Sequence, residues 1–138
     1  MKRIALLLGV TLAVGIGAGM IGHQVLNAQQ EPMKRTVLLT NDLAGIAGKR
    51  ATVHRVEFAP GVSGGKHRHP GDTFVYVLDG TLTLEEEGKG PRTLNAGEVV
   101  QEVPTGIYRA TNTSMTSPAT VLVVSLGEKD QPLSIPVK

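Results

Sequence analysis

The chain has no cysteine and no tryptophan. A disulfide framework, a thiolate nucleophile and a thiolate metal site are therefore excluded. Aromatic residues are scarce: Phe58, Phe74, Tyr76 and Tyr108 are the whole set. Four rings are too few for the stacking platform that single-stranded nucleic acid requires. Charge of one sign is also missing from the body. The formal charge of +2 resides in Lys2 and Arg3, because beyond residue 28 twelve basic residues face twelve acidic ones. Without a basic footprint, nucleic acid is not expected as a partner. Beyond residue 34 no run of twelve residues carries helical periodicity. At 138 residues the chain is one domain at most, with one modest core.

One long hydrophobic run is present, at the N-terminus. Lys2 and Arg3 precede an uncharged stretch from Ile4 to about Leu26, the layout of a bacterial secretory signal. Leu26-Asn27-Ala28 offers a cleavage site after Ala28. Ile4 to Ile21 is 18 residues, near the minimum for a membrane span, so an uncleaved anchor is the competing reading. Either way the two basic residues stay in the cytoplasm and the rest is exported. The expected location is the periplasm, soluble or tethered to the inner membrane, with membrane contact only through this segment. Gly15 and Gly19 have helix-packing spacing, but with Gly17 and Gly22 they read more simply as loosening a disposable segment.

The body consists of short apolar or alternating segments separated by turn residues. Candidate strands are Arg35 to Thr40, Ala51 to Ala59, Thr73 to Leu78, Thr81 to Glu86, Gly97 to Val103, Ile107 to Asn112 and Ala119 to Leu126. Pro60-Gly61, Pro70-Gly71 and Pro104-Thr105-Gly106 punctuate them, and Asp79-Gly80 reads as a hairpin turn. Strands at this spacing predict an all-β sandwich or barrel. Glu85-Glu86-Glu87 reads as a solvated loop rather than a cation site. Asn112-Thr113-Ser114 matches a glycosylation sequon and carries no weight beside a bacterial-type signal.

Chemistry centres on histidine. His67 and His69 are two apart, so on a strand they share a face and supply half of a metal site. Their alternative role is as exposed loop residues beside Lys66 and Arg68. In Val53–Phe58, Arg55 and Glu57 fall on one face and His54, Val56 and Phe58 on the apolar other. His54 is thus a core histidine, a third ligand or a proton shuttle. No serine lies in a nucleophile elbow. The glycines before Lys66 lack the phosphate-loop ending, since His67 follows.

Residues 61–80 resemble the first motif of the cupins, with Gly61, His67, His69 and Gly80 in place. Residues 97–112 resemble the second motif more loosely, in Gly97, Pro104, Gly106 and Asn112, with one extra residue before the proline. The resemblance implies an all-β, cupin-type jelly-roll β-barrel, often a homodimer, with a small-molecule pocket in its mouth. On this reading residues 1–28 are the signal peptide or anchor, 29–49 a linker and first strand, 50–126 the barrel and 127–138 a C-terminal extension. The ligand set implied by the resemblance is incomplete: its Glu falls on Thr73, and its second-motif His falls on Tyr108 or Arg109. Only His67 and His69 carry over, with His54 or Asp72 as a candidate third ligand and Thr73, Tyr108 and Arg109 as candidate pocket contacts. The expected cofactor is one weakly held divalent transition metal (Fe, Mn, Zn, Cu or Ni), or none. Two functions follow: an exported module binding a small molecule, or a metal-dependent oxygenase or isomerase acting on one.

Overall fold

The computed structural model describes residues 31–138; the expected export segment, residues 1–28, lies outside the described residues. The strands are β1 (Met33–Asp42), β2 (Lys49–Phe58), β3 (His67–Arg68), β4 (Asp72–Asp79), β5 (Thr81–Glu86), β6 (Arg92–Asn95), β7 (Val99–Glu102), β8 (Tyr108–Thr111), β9 (Ala119–Glu128) and β10 (Ile135–Pro136). No helix occurs among the described residues. Two five-stranded antiparallel sheets result, ordered β1-β2-β9-β4-β7 and β10-β3-β8-β5-β6. Only β1–β2 and β5–β6 are sequential neighbours within a sheet; every other connection crosses between sheets.

The alternation of β2, β4 and β9 turns Val56, Phe58, Val75, Val77, Val121 and Val123 inward. They pack with Leu82, Leu84, Leu94 and Ala110 of the other sheet. β-branched residues suit such half-buried pleated surfaces. The inner face of the first sheet also carries a polar row. Glu102, Thr73, Ser125, Thr52 and Thr40 stand in register across β7, β4, β9, β2 and β1. That row closes the apolar core at one end of the barrel.

Asp79-Gly80 is not a hairpin turn. β4 pairs with β7 and β9, while β5 pairs with β6 and β8, so the dipeptide is a corner between sheets. Gly80 has φ +75°, and an added Cβ would stand 2.6 Å from the Pro118 carbonyl oxygen. Glycine is needed for both reasons. The Glu85–Glu87 run leads into the β5–β6 loop, where Glu86 pairs with Lys89 and Glu87 with Lys66. Asn112 is fully buried with its amide committed to backbone groups, so the sequon is closed to a glycan.

Candidate metal centre

His67 begins the two-residue β3, His69 follows it, and Glu102 ends β7. The two imidazoles stand edge to face with centroids 5.0 Å apart. His67 Nδ1 lies 3.0 Å from the Gly65 carbonyl oxygen, and His69 Nδ1 lies 2.8 Å from that of Leu133. A carbonyl only accepts, so each Nδ1 carries a proton and each Nε2 is directed elsewhere. Both Nε2 atoms face the same carboxylate oxygen: Glu102 Oε2 is 2.5 Å from His69 and 3.7 Å from His67. One donor atom from each of the three residues lies within 4.8 Å of the others. His69 and Glu102 are 6% and 3% exposed, and His67 is half-buried.

Burial raises the Glu102 carboxyl, but His67 and His69 outweigh it and hold the group below its ordinary 4.5. His67 is raised above 6.5 chiefly by Glu102, against the effect of burial. With Glu102 ionised and each Nδ1 already protonated, an Nε2 that donates to Glu102 belongs to an imidazolium. A proton shared with Glu102 and a metal ion thus compete for the same three converging ligand atoms. Two Nε2 atoms oriented by backbone carbonyls, plus one carboxylate, fit a divalent transition metal with open coordination positions. Removing the proton frees the lone pair that such an ion needs.

His54 does not join this cluster. It is 3% exposed, lines the adjoining cavity, and its Nδ1 has no hydrogen-bond partner among the described residues. Burial, then the charges of Arg35 and His69, lower its pKa from 6.5 to about 4. A depressed histidine contributes stability that is full above 6.5 and is lost as pH falls through that window. Between pH 6.5 and 4 His54 should therefore cost about 3 kcal/mol of unfolding free energy. His54→Met should flatten that part of the curve in chemical denaturation.

Asp72 points away. Its Oδ1 accepts from Gln101 Nε2 at 3.0 Å on the exposed face, because Thr73 takes the inward position and neighbours alternate. Thr73 is 1% exposed, its hydroxyl 3.5 Å from the Gly71 carbonyl oxygen and from Ser125 Oγ. It faces a second cavity of about 230 Å³, with Thr40, Thr52 and Ser125. Tyr108 is buried opposite His67 in the β3–β8 register, and its hydroxyl accepts the Val103 N–H at 2.9 Å. It braces the turn before β8 and supports the His67 strand. Arg109 lies on the outward face, 4.0 Å from Glu85. Thr73, Tyr108 and Arg109 are thus not in the cavity that holds His67 and His69.

That cavity measures about 240 Å³. Its wall is Val56, Phe58, Val75, Leu82, Val121 and Val123, and its polar members include Arg35, His54, Lys66 and the three cluster residues. Sequence reasoning missed Glu102 and Arg35. The trace of Glu102 was alternation: it stands two residues after Val100 on the inward face of β7. Thr73 is its cross-strand partner, so the carboxylate that the motif places on β4 is offered from the next strand.

Comparison with known proteins agrees with this architecture. Residues 54–125 match the cupin domain family. No curated protein matches the sequence. A cupin-like protein from Thermotoga maritima is 23% identical, with a TM-score of 0.62 over 76% of this chain and 75% of that one. The DMSP lyase DddQ from Ruegeria pomeroyi is 22% identical, with a TM-score of 0.62 over 84% of this chain and 57% of its own. An oxalate oxidase in complex with the substrate analogue glycolate is 24% identical, with a TM-score of 0.60 over 80% and 57%. At such identities the structural likeness speaks for the fold alone. The family match spans more than half of the sequence, and with the two-sheet barrel around His67 and His69 it means that this chain belongs to the cupins.

Proposed function

We propose that the protein is an exported cupin that holds a divalent transition metal on His67, His69 and Glu102 and binds a small molecule in the adjoining apolar cavity. The convergence of both Nε2 atoms on the Glu102 carboxylate, with each Nδ1 anchored on a carbonyl, carries the metal assignment. Export rests on the basic and apolar layout of residues 2–26. Metal must displace the imidazolium proton. Calorimetric titration of the full chain with Co(II), in two buffers of different ionisation heat, should therefore show protons released on binding, more of them as pH is lowered. A binding heat that does not depend on the buffer would place the ion elsewhere.

The second reading is a metal-dependent enzyme, an oxygenase or isomerase acting on a small organic substrate. Three protein ligands leave coordination positions open, which favours it. The structurally similar DMSP lyase and oxalate oxidase are enzymes on this fold. A bound metal would supply Lewis acidity there. The chain's own part would be to exclude water with the apolar wall and to orient the ligand against His54.

The partner is a second copy. On the outer face of the first sheet Leu39, Val53, Val124 and Phe74 align across four strands, beside Leu122, Tyr76 and Val99. Leu39, Tyr76, Leu78 and Val99 are exposed. Contiguous apolar area of this kind favours a protein interface. A Tyr76→Asp, Val99→Asp double variant should halve the mass seen by light scattering. A wild-type chain that already runs as a monomer would contradict the dimer.

A further inference from the structure

The cavity has an uneven charge inventory. Glu102 is the one acid among its lining residues, and two imidazoles already face it. Lys66 is engaged with Glu87 at 3.4 Å. Arg35 has no carboxylate partner among the described residues. In the β1–β2 register Arg35 stands opposite Val56 and Val37 opposite His54, so Arg35 and His54 are diagonal neighbours on the inner face. Such neighbours reach one another when one side chain is long. The Arg35 charge disfavours protonation of both His54 and His67, which places it within electrostatic reach of the cavity's centre.

We propose that the cavity recognises a small organic carboxylate, its anionic group held by Arg35 and His54 and its apolar body by the wall. A buried imidazole nitrogen without a partner costs free energy, and a ligand oxygen relieves that cost when the ring presents its N–H. The guanidinium fork matches a planar carboxylate better than it matches a neutral group. A volume of about 240 Å³, just below the roughly 300 Å³ at which ordinary ligand pockets begin, limits the occupant to a few carbons beyond the carboxylate or a single ring. Phe58, Val75, Leu82 and Val121 leave no polar partner for that body. The inference rests on the reading of this cavity as a ligand pocket and does not require the metal.

The test is calorimetry on the full chain, with chelator and with Co(II), using acetate, butanoate, benzoate and the neutral benzamide. Carboxylates should bind and benzamide should not, with affinity growing from acetate to butanoate. Arg35→Met lies on an exposed edge strand and should leave the fold intact. It should weaken butanoate and benzoate by about tenfold or more, with partial retention in Arg35→Lys. His54→Phe should weaken them by a similar factor while leaving Co(II) affinity unchanged. Carboxylate binding that depends on Arg35 in the His67→Ala chain would keep this inference even if the metal reading fails. Three results would overturn it: no carboxylate bound up to millimolar concentration, benzamide bound as tightly as benzoate, or an Arg35→Met chain with wild-type affinity.

Discussion

Glu102→Gln is expected to lower divalent-metal affinity by about a hundredfold or more while the barrel stays folded. The amide keeps the shape of the side chain and removes the only anionic donor of the cluster. The loss exceeds that of an exposed carboxylate because Glu102 is 3% exposed and sits among atoms that water scarcely screens. The fold survives because a protonated ring facing Glu102 has an escape. When the carboxylate goes, that ring gives up its proton and becomes neutral, which avoids the several kcal/mol cost of an unpaired buried charge. His67 should accordingly fall back from its raised pKa, which NMR titration of its ring protons would record. Glu86→Gln, in a pair with Lys89 outside the cavity, should bind metal like the wild type. Equal affinities for Glu102→Gln and Glu86→Gln would remove Glu102 from the site.

Asn112→Ala should be the most damaging single change to stability, at about 3 to 5 kcal/mol. Its side chain is fully buried. The Nδ2 group donates to the carbonyls of Phe58, Ala59 and Ser117 at 3.3, 3.2 and 2.8 Å, and Oδ1 accepts the Ser114 N–H at 3.1 Å. One residue therefore ties the end of β2 to the loop between β8 and β9. Alanine leaves several buried backbone groups without partners and opens a void beside Phe58. Asn112→Asp should also destabilise, since a carboxylate only accepts and the three carbonyls around Nδ2 need a donor. Urea denaturation of both variants measures the effect; a loss under about 1 kcal/mol for Asn112→Ala would mean that the loop relaxes to solvate these groups.

The barrel was legible in the sequence because its long strands announce themselves. β2, β4, β5 and β9 alternate or run apolar, and Gly, Pro or Asp bound them. β3 and β10 did not register, since two residues carry no period, and β6 is polar on three of its four positions. Asp79-Gly80 misled because a positive-φ glycine serves a corner as well as a hairpin, and only pairing decides between them. At the site, His67 and His69 were legible from their spacing together with the cupin-like motif around them. Glu102 was not, because its relation to them runs across strands: its register with Thr73 is a property of the sheet. Arg35 was hidden for the same reason, as a charge on an edge strand reads as a solvated residue until its neighbour His54 is known.

A divalent metal on His67, His69 and Glu102 would make this cluster the working centre of the barrel. Elemental analysis and calorimetric titration of the full chain, beside His67→Ala and His69→Ala, test it most directly. One transition-metal ion per chain in the wild type, lost from both variants, is the predicted result. Metal absent from all three proteins, or retained equally by all three, would contradict it.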